Sequence, residues 1–174
     1  MEKDIIHTLL KVAVLEGKSN VNLDELSKLI LSTSSQKLSS TPHHSSYEDC
    51  YCPDSPLIDQ VVGEMKESIK KFQGLDTDAV NKWGHIHEKN MSTKMHDHLD
   101  SHLSSVLYVK VPEGSGYLVF EPQLHRQNPS AFVRTFPPKE GTYYIFPSFL
   151  RHYVTRHQSD HKRISLSFNF TIKE

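Results

Sequence analysis

The chain has 174 residues, 36% of them hydrophobic, with 20 Lys and Arg against 21 Asp and Glu and a formal net charge of −1. That length suits one globular domain with an interior core, and the balanced charge leaves no basic footprint for a nucleic-acid backbone. No apolar run approaches the roughly 20 residues that span a bilayer, and the start Met-Glu-Lys-Asp-Ile-Ile-His is acidic where a signal peptide is basic, so the expected location is the cytoplasm. The two cysteines, Cys50 and Cys52, are too close for a relaxed disulfide in an extended chain and too few for a secreted framework.

In chain order, residues 1–54 read as a helical N-terminal appendage followed by a Ser/Thr-rich linker. Ile5, Ile6, Leu9, Leu10, Val12 and Val14 form a helical stripe that Gly17 would end. A short helix is predicted from Leu23 to Leu31 with Asn22 as N-cap. Ser32 to Asp54 reads as a loop, and within it a zinc site from His43, His44, Cys50 and Cys52 would lack the usual spacing between ligand pairs. Residues 55–174 then read as one β domain with a leading helix. Ser55-Pro56 starts that helix, the stripe Leu57, Ile58, Val61, Val62, Met65, Ile69, Phe72 follows, and Gly74 stops it.

Beyond Asp76 the period becomes that of strands and turns. Strands are predicted at Val80–Glu88, Leu103–Val111, Tyr117–Glu121, around Phe132, at Thr142–Phe146 and at Arg163–Thr171. Turns fall at Asn90 to Lys94, Pro112–Gly116 and Lys139–Gly141. The fold class is mainly β with helical cover (α+β), a β-sandwich or a double-stranded β-helix of jelly-roll or cupin-like form.

Three stretches carry chemistry. In an extended strand His96, His98 and Asp100 share one face, so all three are candidate metal ligands. His152 follows a proline turn far enough downstream for the chain to return beside the first pair, and two ligands on one strand with a third on a distant one leave part of a metal's surface open. In Arg163 to Asn169, alternation sets Arg163, Ser165, Ser167 and Asn169 against Ile164, Leu166 and Phe168. An arginine aimed into a barrel needs an anion, and its planar fork suits a carboxylate from a protein side chain or from a cosubstrate. A second His-x-His, His85/His87, reads as a barrel-lining or surface pair.

The ordered set His96-x-His98-x-x-Ser101-x-Leu103-Ser104-x-Val106-x-Tyr108, then Pro112-Glu-Gly-Ser-Gly-x-Leu-x-Phe-Glu-Pro122, Pro138-x-x-Gly141, Phe146-Pro-Ser-Phe-Leu-x-His152-x-Val154 and Arg163-Ile-Ser-x-Ser-Phe-Asn169 resembles the iron(II)- and 2-oxoglutarate-dependent oxygenases of marine bacteria and their phages. The resemblance runs from Trp83 to the C-terminus, leaves residues 1–54 outside it, and finds Ser105 where the family commonly has glycine. It implies a double-stranded β-helix holding Fe(II) at His96, His98 and His152, with Arg163 and Ser165 gripping the distal carboxylate of 2-oxoglutarate and Tyr108 helping. The wider superfamily has His-x-Asp in the first motif. Either three histidines bind the iron, or the frame shifts and His98 and Asp100 supply the usual pair while His96 lines the pocket.

The implied reaction couples decarboxylation of 2-oxoglutarate by O2, giving succinate and CO2, to hydroxylation of a substrate that the residues do not identify. A phage-encoded copy would act in the host cytoplasm. A cupin-like three-histidine dioxygenase without a keto acid accounts for the histidines but gives Arg163 and Ser165 no task. A non-enzymatic β-sandwich binding module, with Trp83, Tyr108, Tyr117, Tyr143 and Tyr144 as stacking surfaces, is the third reading.

Overall fold

Helical stripes and period-two alternation build the architecture. The computed structural model describes residues 12–33, 48–122 and 132–173. Their elements run β1 (Leu15–Lys18), α1 (Leu23–Ser32), β2 (Glu48–Tyr51), α2 (Pro56–Gln73), β3 (Thr77–His87), β4 (Thr93–His96), β5 (Leu103–Lys110), β6 (Leu118–Phe120), β7 (Arg134–Phe136), β8 (Thr142–Pro147), β9 (His152–Val154) and β10 (Arg163–Ile172). Two antiparallel sheets result, one ordered β1-β8-β5-β10-β3-β2 and the other β4-β9-β6-β7. This is a double-stranded β-helix with helical cover, as the strand and turn pattern predicts.

Both helices begin where their sequence signals lie, and α2 also ends at its signal. Asn22 Oδ1 accepts from the Glu25 N–H at 3.2 Å, and Ser55 Oγ accepts from the Leu57 N–H at 3.2 Å. Gly74 ends α2 at φ 72°, a left-handed conformation that costs glycine nothing, and its N–H donates to the Lys70 carbonyl. The α2 stripe buries Ile58, Val61, Met65 and Ile69, each worth about 1.5–3 kcal/mol of transfer free energy. Phe72, the last member of the predicted stripe, is exposed, with the Lys71 ammonium 5.1 Å from its ring.

Alternation gives the large sheet two faces. Leu103, Leu107 and Val109 of β5, Tyr143 and Ile145 of β8, and Ile164, Leu166, Phe168 and Phe170 of β10 join α1 and α2 in one apolar core. The intervening residues point the other way, where Val106, Tyr108, Tyr144 and Phe146 form a second cluster with Leu118, Phe120 and Leu150. Ser105, where the family commonly has glycine, is buried and satisfied, its hydroxyl donating to the Phe168 carbonyl at 3.3 Å.

The N-terminal third differs from its expectation. Ile5 to Leu10 lie outside the described residues, but Gly17 ends no helix: it sits in β1 opposite Tyr143, where a Cβ would meet Tyr143 Cζ at 2.2 Å. The expected Ser32–Asp54 loop contains β2, which pairs with β3 and sets Cys50 opposite Gly84, where a Cβ would lie 2.7 Å from the Cys50 Sγ. Described residues from this third thus form both edges of the large sheet. Cys50 and Cys52 are buried in the apolar core, while His43 and His44 lie outside the described residues.

Two smaller corrections follow from pairing that periodicity cannot display. The strand expected around Phe132 begins two residues later, at Arg134, where β7 finds β6. The turn expected at Asn90 is present, with Asn90 at φ 73° and the Met91 N–H donating to the Glu88 carbonyl, but it ends before Thr93, where β4 begins because Thr93 and His96 pair with Val154 and His152 of β9. No helix among the described residues is long and apolar enough to cross a membrane.

Candidate active site

The metal-type cluster is built at the β4–β9 ladder. His96 closes β4 directly opposite His152, which opens β9. The strand stops there, so the expected shared face of His96, His98 and Asp100 does not form. His98 lies in the loop beyond, held by its N–H donating to the Ser148 carbonyl at 2.9 Å, and Asp100 stands exposed in the following turn. The ligand atoms of His96, His98 and His152 lie within 4.8 Å of one another, and Asp100 is outside that group.

Two of the imidazoles have Nδ1 committed to a backbone carbonyl. His96 Nδ1 lies 2.8 Å from the Lys94 carbonyl oxygen and His152 Nδ1 2.8 Å from that of Leu150. A carbonyl only accepts, so both Nδ1 atoms carry a proton, and each ring in its neutral form presents the lone pair of Nε2. Burial, then the neighbouring His96, holds the His152 pKa well below its ordinary value of 6.5, which keeps the ring neutral.

The loop carrying His98 is pinned from below. Ser148 accepts from His98 and donates its own N–H to the His102 carbonyl at 3.0 Å. Ser104 Oγ donates to Asn169 Oδ1 at 2.9 Å, so the 2.8 Å contact between Ser104 and Ser148 is a donation from Ser148.

The cavity running inward from the histidines is lined by His85, His87, Ser104, Val106, Tyr108, Phe146, Arg163, Ser165, Ser167 and Asn169 among others, and among the described residues by no acidic one. Arg163 occupies its inner end at 1% exposure, its guanidinium carbon 5.1 Å from the centre of the Tyr108 ring. Burial lowers the Arg163 pKa from 12.5 and raises that of Tyr108 from 10.0. Arg163 Nη1 donates to Ser165 Oγ at 3.3 Å and to His87 Nδ1 at 3.1 Å. Arg163 Nε and Tyr108 Oη are buried without a hydrogen-bond partner, and no described carboxylate pairs with the guanidinium.

Two buried donors, one of them cationic, in a chamber without acids fit an anionic group with oxygen acceptors, and the distal carboxylate of a keto acid is such a group. Three imidazoles likewise fit a divalent iron. Sequence reasoning identified these residues but not the role of His87, which bonds Arg163, or Thr93, which bonds His87. The signal was the second His-x-His, whose alternation puts His85 and His87 on the inner face. The β3–β10 register that sets His87 opposite Arg163 is not written in any local pattern.

Fold and site together define an oxygenase built on a double-stranded β-helix. The chain belongs to the family described as "Putative 2OG-Fe(II) oxygenase", whose profile matches residues 81–169, just over half its length. Its cofactors are accordingly Fe(II) and 2-oxoglutarate, and O2 is a reactant. No curated protein matches the sequence. Among solved structures, a viral collagen prolyl hydroxylase from Paramecium Bursaria Chlorella virus-1, in complex with 2OG, shares 15% identity at a TM-score of 0.66, covering 90% of this chain and 94% of its own. A Pseudomonas putida prolyl-4-hydroxylase shares 17% identity at 0.66, covering 92% and 93%. HygX from Streptomyces hygroscopicus, with nickel, 2-oxoglutarate and hygromycin B bound, shares 11% at 0.66, covering 92% and 83%. At such identities the likeness is one of fold.

Proposed function

We propose that His96, His98 and His152 hold the iron, that Arg163, Tyr108 and Ser165 receive the distal carboxylate of 2-oxoglutarate, and that the enzyme hydroxylates its substrate. The observation that carries this reading is the pairing of a three-imidazole cluster with a fully buried, carboxylate-free arginine at the far end of one cavity. When bound, iron and keto acid supply the oxidising power that breaks an unactivated C–H bond, with succinate and CO2 formed from the keto acid.

The chain's own residues supply placement. Lys94 and Leu150 orient two of the imidazoles through their carbonyls, and Ser148 sets the loop that brings the third. Arg163 Nε and Tyr108 Oη offer two donors to one carboxylate, which fixes the cosubstrate's far end and so the direction in which its keto-acid end meets the metal. Val106, Leu118 and Phe146 line the same cavity with apolar surface and keep bulk water from it.

Asp100 is the alternative carboxylate ligand, and its exposure in the turn favours the three-histidine set. The keto-acid-free dioxygenase reading would leave the buried Arg163 charge without an anion. The cytoplasm is the proposed location, supported by a content of only two cysteines. The test is anaerobic addition of Fe(II) and 2-oxoglutarate. A keto-acid charge-transfer band, followed by succinate formation when O2 is admitted, is the expected result. Absence of the band in folded protein overturns the assignment.

A further inference from the structure

His87 lies apart from the three-histidine cluster, yet both its ring nitrogens are committed. It sits on β3 of the large sheet, register partner of Arg163 on β10. Its Nδ1 is 3.1 Å from Arg163 Nη1, and its Nε2 is 3.0 Å from Thr93 Oγ1 on β4 of the small sheet. A guanidinium has no lone pair to offer, so the arginine donates and Nδ1 accepts. The ring proton is then on Nε2, which donates to Thr93.

The tautomer is fixed by this chain of bonds, and the ring spans the gap between the two sheets at 1% exposure. The neutral state it demands agrees with the surroundings, where Arg163, His85 and His157 are the charged or titratable neighbours.

The consequence falls on Arg163. With Nη1 turned toward His87 and Ser165, rotation of the guanidinium is restrained, and Nε is left as a buried donor without a hydrogen-bond partner among the described residues, on a guanidinium whose carbon lies 5.1 Å from the centre of the Tyr108 ring. A carboxylate meeting this pair finds both donors already in place, and the cost of orienting a long flexible side chain is not charged against binding.

We propose that His87 is a positioning residue for the cosubstrate: by accepting from Arg163 Nη1 it fixes the guanidinium so that the enzyme favours a 2-oxo acid bearing a distal carboxylate over one without. The inference rests on the reading of Arg163 as the carboxylate anchor and adds His87 and Thr93 behind it.

The experiment is an anaerobic titration of the Fe(II) protein with 2-oxoglutarate and, separately, with pyruvate, a 2-oxo acid that lacks the distal carboxylate. The charge-transfer absorption reports binding of either. His87→Phe should weaken 2-oxoglutarate roughly tenfold or more while moving pyruvate by less than about threefold, because only the former meets Arg163. His87→Asn, whose amide oxygen can accept near the position of Nδ1, should recover 2-oxoglutarate affinity to within about threefold of the native value.

Native affinity in His87→Phe, equal loss for both keto acids, or no recovery in His87→Asn would each overturn the proposal. Should His87→Phe not fold, Thr93→Val decides. It removes the partner of Nε2 and should cost 2-oxoglutarate severalfold with pyruvate unchanged; unchanged affinity for both overturns the role. Arg163→Ala in parallel separates the two layers. Native 2-oxoglutarate affinity there removes the anchor and the positioning role together, whereas loss in Arg163→Ala with none in His87→Phe removes His87 alone.

Discussion

His96 and His152 are register partners across the β4–β9 ladder, and their ring centroids lie 4.2 Å apart. Backbone hydrogen bonding thus brings the two rings together before any metal acts on them, and their Nδ1–H bonds to Lys94 and Leu150 fix which nitrogen each presents. A pair arranged in this way needs little reorganisation to bind an ion.

It follows that His152→Ala should lose the bound metal while keeping the fold. Fe(II), Mn(II) or Co(II) should bind the native protein at one ion per chain. Stoichiometry should fall below about a tenth of that in the variant, since removing an inner ligand commonly costs far more than the 10–100-fold seen for outer partners. Asp100→Ala, altered at an exposed turn residue, should retain full stoichiometry. Metal analysis of these variants and of His96→Ala is the check, and loss in Asp100→Ala with retention in His96→Ala would reinstate the carboxylate set of His98, Asp100 and His152.

The charge of the metal shell gives a spectroscopic prediction. Three neutral imidazoles leave iron one positive charge higher than two imidazoles and a carboxylate do. Replacing His98 by Asp should raise the iron d levels and move the keto-acid charge-transfer band to lower energy. An unmoved band in a His98→Asp protein that still binds iron would show that residue 98 does not contact the metal.

Arg163→Ala should weaken 2-oxoglutarate binding roughly ten- to a hundredfold, the equivalent of about 1.5–3 kcal/mol for a charge-assisted contact. Metal stoichiometry without the keto acid should not change, because Arg163 lies at the inner end of the cavity. Calorimetric titration with metal-substituted protein measures both quantities.

A pH prediction follows from His87. Burial first, then the Arg163 guanidinium and the neighbouring His85 and His157, hold its folded pKa well below the ordinary 6.5. In the unfolded chain it regains that ordinary value. Below about pH 6.5 the unfolded state therefore takes up a proton that the folded state refuses, and stability falls as pH falls. The contribution is complete above pH 6.5 and is lost with a limiting slope of about 1.4 kcal/mol per pH unit until the folded pKa is reached. Denaturant unfolding of the metal-free protein at several pH values should show a shallower dependence in His87→Asn than in the native chain. Parallel slopes would show that His87 is charged in the fold.

Much of the fold was legible because it is written in local patterns. Ser55, Pro56 and Gly74 bound α2 through capping chemistry that involves only near neighbours, and alternation in Arg163–Ile172 separates the polar inner face from the apolar outer one without reference to any partner. The expectation failed where identity depends on a distant segment. Gly17 looks like a helix stop but makes room for Tyr143, and the Ser/Thr-rich stretch before Asp54 gains a strand because β3 offers it an edge at Gly84.

The candidate site divides in the same way. By itself the sequence determined which residue types were present and that Arg163 and Ser165 lie at strand positions on one face, since side-chain direction along a strand is a matter of counting by two. Only the tertiary structure decided that β4 ends at His96, which puts His98 in a loop beside His152 and leaves Asp100 exposed to solvent. It alone placed His87 between Arg163 and Thr93. Each of these depends on pairing register and on loop anchorage by Ser148, and hydrogen bonds between segments far apart in sequence leave no periodic trace in either one.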